Sequence, residues 1–172
     1  MKITLDKLFG SSVYSGGALC SKAIWGVVLA FLTISCLAQS RPDPSLTPGV
    51  IRTSNAAEIC ATSFRTKPYR HTTQATKTQV YREYGLKPNE GYCQGGCEVD
   101  HLIPLELGGL DDIRNLWPQP SQPKPGFHEK DKLENYLHKQ VCAGKMKLTY
   151  AQDVLRIDWY QAYVDMQKEE SR

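Results

Sequence analysis

The residue types that can do chemistry cluster between positions 98 and 138 of this 172-residue chain. Asp100 and His101 stand side by side, Asn115 follows a Gly108-Gly109 pair, and His128, Asp131, Glu134 and His138 come after a proline-rich gap. A neutral imidazole titrates near pH ~6.5 and can accept a proton from water. An ionised carboxylate is a hard donor for a divalent cation. An amide both donates and accepts, so Asn115 can tie two backbone segments together. Proton transfer, metal ligation and a structural clamp are therefore all available within one stretch of chain.

These groups need elements to position them. Residues 97–103 alternate and end apolar, which predicts a short strand that Pro104 stops. Gly108-Gly109 supplies a loop, and Leu116-Trp117 is a candidate second strand. Residues 119–126 hold three prolines and a glycine and read as loop. A helix is expected from Phe127 or His128 to about Val141, with Leu133, Leu137 and Val141 on its buried side and Gly144 as its stop. Upstream, Thr72 to Tyr84 reads as an amphipathic helix capped by Thr72 or Thr73 and ended by Gly85, while Ala57 to Phe64 is too short and mixed to assign. Thr149-Tyr150-Ala151-Gln152 has the form of a capping box opening a last helix through Val154, Leu155, Trp159, Tyr163 and Met166. The predicted class is α+β.

The run Glu98-Val99-Asp100-His101-Leu102-Ile103-Pro104, with Gly108-Gly109 and Asn115-Leu116-Trp117-Pro118 after it, resembles the HNH (ββα-metal) endonucleases. Residues 97–138 carry the resemblance, and their expected order of strand, loop, strand and helix is the ββα order of that family. The resemblance implies a ββα-metal core with additional flanking helices and hydrolysis of phosphodiester bonds in DNA, with RNA as the second candidate. Such cleavage needs one group to make hydroxide and another to absorb charge on the phosphate and leaving oxygen. Carried over to this chain, His101 is the general base and Asn115 the residue that holds it in orientation. Asp100 and His128 are the ligands of one divalent ion, magnesium or manganese, with zinc as the alternative. Neighbouring strand residues face opposite ways; in the family the pair sits where the strand breaks into the loop, so both reach one site. Asp131, Glu134 and His138 could substitute for His128. His138, about 15 Å further along the helix axis, cannot share an ion with His128 and reads as a packing group or one that supports a ligand from behind. Lys124, Lys130, Lys132, Lys139 and Arg114 lie near the site in sequence and are candidate phosphate contacts, although interspersed acids make a solvated helix surface an equal explanation. The products would carry a 5′-phosphate and a 3′-hydroxyl, and low sequence preference is expected because no separate DNA-reading module is present.

Length suits one domain. Lys22 precedes an uncharged apolar run, Ala23 to Leu37, and then Ala38-Gln39-Ser40. That run is short for a bilayer span of roughly 20 residues and fits the apolar core of an export signal. Residues 1–38 are therefore expected as a signal peptide cleaved after Ala38, with an uncleaved anchor and a lipoprotein box at Cys36 as rival readings. Residues 39–56 are expected as a linker and 57–172 as the single nuclease-like domain, periplasmic or secreted. If the leader is cleaved, no stable membrane association follows. Residues 39–172 hold 18 basic and 17 acidic side chains, so binding to a polyanion would need a local basic face rather than bulk charge.

Export also governs the cysteines. Cys60, Cys93, Cys97 and Cys142 lie outside the leader, an even number that suggests two disulfides. Gly95-Gly96 makes a local Cys93–Cys97 bridge sterically plausible, and elimination then pairs Cys60 with Cys142. A structural zinc site is the weaker rival. The competing function is a non-catalytic exported module that binds metal or nucleic acid on the same scaffold, favoured by the near-neutral mature charge.

Overall fold

The computed structural model describes residues 41–87, 93 and 95–171. The export leader expected at 1–38 lies outside them, and among the described residues no helix is long and apolar enough to cross a membrane. Among the described residues the architecture is α+β, with helices and one two-stranded antiparallel sheet. In chain order the elements are α1 (Ala56–Ile59), α2 (Gln74–Glu83), β1 (Cys97–His101), β2 (Leu116–Pro120), α3 (Phe127–Cys142) and α4 (Leu148–Glu170), with 3-10 turns at Lys67–Tyr69, Leu105–Leu107 and Ile113–Asn115.

The sheet pairs Cys97 with Pro120 through His101 with Leu116. The sequence predicts a loop at Gln119 and Pro120, because proline cannot donate to a ladder. The register shows why the strand tolerates them. Leu102 N–H donates to Asn115 O at 2.8 Å and Ser121 N–H to Gly96 O at 3.0 Å, one step beyond each end of the paired strands. Hydrogen-bonded pairs alternate with non-bonded ones in an antiparallel ladder. Pro118 and Pro120, opposite Val99 and Cys97, therefore occupy pairs from which no N–H is needed.

α3 packs against α4 and β1. Its Leu133, Leu137 and Val141 are buried as their spacing predicts, and each fully buried side chain contributes roughly 1.5–3 kcal/mol. They join Leu102, Ile103, Leu107, Trp117, Leu155 and Trp159 in the core. Thr73, not Thr72, caps α2, its hydroxyl accepting from Thr76 N–H. The expected capping box at Thr149 does not form, because α4 begins two residues earlier than such a cap requires, at buried Leu148. Gln152 is spent elsewhere: its buried amide donates to Thr53 O at 2.9 Å and Leu107 O at 2.8 Å. α4 bends at Asp158, whose carboxylate restarts the helix by accepting Gln161 N–H at 3.0 Å.

The stretch expected as a linker is part of the fold from Arg41 onward. Arg41 clasps Asp158 through two nitrogens at 2.9 and 3.1 Å. Buried Thr47 donates to Leu116 O at 2.8 Å, and Gly49, Arg52 and Thr53 hand their N–H groups to Arg114 O and Gly108 O. Proline-rich composition predicts an unpaired segment, but this strap satisfies its backbone on the 108–116 loop. Two disulfides, Cys60–Cys142 and Cys93–Cys97, close the frame. With all four thiols oxidised, none is left as a thiolate for structural zinc.

Candidate active site

The site forms where β1 ends. A single amide closes the loop that follows. Asn115 is fully buried; its Oδ1 accepts Ile103 N–H at 3.0 Å, and its Nδ2 donates to Ile103 O and to Leu110 O, each at 2.8 Å. The glycine pair makes room for this closure. Gly108 has φ 79°, in the left-handed region. A Cβ on Gly109 would stand 1.8 Å from Ile103 O and 3.0 Å from Asn115 Nδ2. Only glycine fits there.

His101 is 4% exposed, and its Nε2 lies 2.7 Å from Asp111 Oδ1. Asp111 itself is held from the other side by a segment that runs into α2. Its Oδ2 accepts Thr72 N–H at 2.7 Å and His71 N–H, while its Oδ1 also accepts the Thr72 hydroxyl. Burial alone would raise the Asp111 carboxyl, but the Thr72 hydroxyl, the His71 N–H and His101 outweigh it and hold it below the usual carboxylate range. Burial lowers the His101 pKa below the ordinary histidine value, against the pull of the Asp111 hydrogen bond. These two directions favour an ionised carboxylate beside a neutral imidazole. An ionised carboxylate only accepts, so the ring nitrogen facing it must carry the hydrogen. A neutral imidazole has one N–H, which leaves the lone pair on Nδ1. Among the described residues Nδ1 has no hydrogen-bond partner.

Asp100 points the other way, toward α3. Its Oδ2 receives Lys130 Nζ at 2.9 Å, and the same ammonium donates to His101 O at 2.6 Å and to Glu134. Lys130 is fully buried, so it pins the strand end to the helix and is not free to meet phosphate. Burial would discharge it, but Asp100 and Glu134 outweigh that cost and raise its pKa; burial pushes the Glu134 carboxyl upward. Lys124 and Arg114 are likewise engaged, by Glu129 and Asp112.

Glu98 and Asp131 lie within electrostatic reach of both Asp100 and His128. Partial burial and the charges of Asp100 and Asp131 raise Glu98, and Asp131 is raised by burial and Asp100, with His128 opposing both shifts. The charges of Asp100, Asp131 and His128 all act on Glu98, while the His101 ring lies toward Asp111. His138 is elsewhere, 3.4 Å from Ile59 O and 3.6 Å from Cys142 Sγ beside the long-range disulfide. Among the described residues no group of three or more His, Cys, Asp or Glu side chains converges as a ready-made cage. The donor set still suits a hard divalent ion: magnesium is held through one or two carboxylates and keeps its remaining positions for water and phosphate. Among the described residues Asp100 Oδ1 has no hydrogen-bond partner.

Sequence reasoning assigns no role to Asp111 or His71 as partners of this site, considers Glu134 only as a substitute metal ligand and Thr72 only as a helix cap, and places Lys130 on the surface. The i,i+4 spacing of Lys130 and Glu134 was a usable signal. Nothing local announces that residues 71–72 meet Asp111. No family model matches the chain, and neither a curated protein nor a solved structure matches it.

Proposed function

We propose that the chain is an exported endonuclease of the HNH type that hydrolyses phosphodiester bonds of DNA, with RNA as the second substrate. The observation that carries the reading is His101, held neutral with its Nε2 on Asp111 and its Nδ1 unpartnered among the described residues. A water placed against Nδ1 gives up its proton to the ring as its oxygen attacks phosphorus, and Asp111 stabilises the imidazolium that results. Asn115 keeps the strand end and the loop in register, so the ring and the Asp100 carboxylate hold their separation. Asp100 and His128, with Glu98 and Asp131 beside them, would hold one magnesium or manganese ion (zinc as the alternative), which supplies positive charge for the phosphate and the leaving oxygen. The strand order β1, β2 and then α3 supports a ββα-metal core. One observation favours the rival, a non-catalytic module that binds metal or nucleic acid: His101 is almost entirely covered.

Plasmid cleavage by the purified protein, with magnesium, manganese or chelator, separates the two. His101→Ala is expected to lower the rate on the order of 10²–10⁴-fold. Cleavage within a few-fold of wild type, at equal metal occupancy, removes His101 from the mechanism. By calorimetry, Asp100→Ala and His128→Ala should weaken metal binding while His138→Ala does not. If Asp100→Ala changes neither binding nor cleavage, the HNH reading ends.

A further inference from the structure

Charge along the chain is strongly segregated. Between Glu58 and Glu83 there is no acidic residue, yet Arg65, Lys67, Arg70, Lys77 and Arg82 all fall there. The remainder of residues 39–172 holds 13 basic against 17 acidic side chains, so the near-neutral sum conceals one basic segment.

That segment is fastened to the candidate site. Pro68 and Tyr69 end the turn that begins at Lys67, Arg70 follows, and the next two residues, His71 and Thr72, grip Asp111. α2 then packs on the sheet through Val80 and Tyr81. Lys77 stands one turn before Tyr81 on the same side of that helix. Lys67, Arg70 and Lys77 are exposed, and among the described residues none of them has an acid partner. The basic side chains of Arg41, Arg52, Arg114, Lys124 and Arg156, by contrast, are each tied to a carboxylate.

We infer that Lys67, Arg70 and Lys77 form the surface that holds the phosphate backbone of a nucleic-acid duplex across the His101–Asp111 pair. Because the 71–72 backbone is bonded to the same carboxylate that orients His101, a phosphate resting on Arg70 is placed in fixed relation to the base. The inference rests on the endonuclease reading for the identity of the polyanion, but its test does not need cleavage. Free exposed cations that replace condensed counterions make binding steeply salt-dependent, and the log–log slope shrinks by about 0.9 for each phosphate that is no longer neutralised.

The experiment is a fluorescence-anisotropy titration of a short labelled duplex with the full chain in chelator, over a series of salt concentrations. Lys67→Ala/Arg70→Ala/Lys77→Ala should bind more weakly and with a slope smaller by up to about 2.7. Lys145→Ala/Lys147→Ala, on exposed positions between α3 and α4, should bind as wild type does. Circular dichroism checks that both variants are folded. Weakened binding in the first variant alone supports the inference, even if no metal produces cleavage and the endonuclease reading falls. Wild-type slope and affinity in the first variant, loss confined to the second, or no duplex binding by the wild type overturns it, while plasmid cleavage by the wild type would leave the endonuclease reading standing.

Discussion

Asp111→Asn is the substitution that reads the candidate site most directly. The change is nearly isosteric, and the structure dictates how the new amide must sit. Two backbone N–H groups, from His71 and Thr72, converge on Oδ2, so the asparagine must keep its carbonyl oxygen there. Its NH₂ then takes the Oδ1 position, facing the Thr72 hydroxyl and His101 Nε2. The hydroxyl can turn to accept. The imidazole can accept only by moving its hydrogen to Nδ1, the atom that receives the proton from water in the proposed mechanism. The wrong tautomer is thereby enforced with the geometry intact, at an expected cost of about 10²–10⁴ in kcat/KM, or roughly 3–5 kcal/mol of barrier. Stability should fall less, by about 1–3 kcal/mol, since charge-assisted bonds become neutral ones but none of the buried donors is orphaned. Steady-state cleavage reports the first effect, a urea melt the second, and imidazole ¹⁵N shifts show which nitrogen carries hydrogen. If Asp111→Asn cleaves like wild type, or the hydrogen stays on Nε2, then Asp111 does not set the tautomer and the assignment of Nδ1 as base is wrong.

Two further outcomes follow from the same geometry. Because burial depresses the His101 pKa, the acid limb of kcat/KM should lie below the ordinary imidazole value of about 6.5. A depressed folded pKa adds stability above the unfolded value that is lost as pH falls through the folded one. Tm should therefore begin to decline below pH ~6.5 and do so less in His101→Asn; an acid limb at or above 6.5 contradicts the burial argument. The Cys60–Cys142 bridge spans 82 residues and Cys93–Cys97 spans 4, so loop entropy assigns them about 4.5 and 2 kcal/mol. Replacing each pair by serine and measuring unfolding should preserve that order, and equal losses would show that native contacts rather than chain closure dominate.

Much of the architecture was legible because its causes are local. The spacing of Leu133, Leu137 and Val141 marks the buried side of α3 whatever it packs against, and Gly85 and Gly144 stop helices through their own backbone freedom. Pro118 and Pro120 misled for the complementary reason. Whether a proline breaks a strand depends on which pairs of the ladder exchange hydrogen bonds, and that register belongs to two strands together. Gln152 misled in the same way. A Thr-x-x-Gln pattern fits a cap, but the carbonyls of Thr53 and Leu107, far away in sequence, offered the amide a buried partner.

The cysteine pairing, the Asp-His step, the glycines and the Asn that closes the loop were set by residue type and spacing, because turn geometry and side-chain chemistry act over a few positions. The tertiary structure alone decided who partners whom. It sent Asp100 to Lys130 and His101 to Asp111, drew the 41–55 strap onto the loop, and brought an acid-free basic segment against the site. Those outcomes depend on which distant charges and polar groups share one poorly solvated space, where an unpaired group is costly and a paired one is retained. No local pattern in the chain encodes that choice.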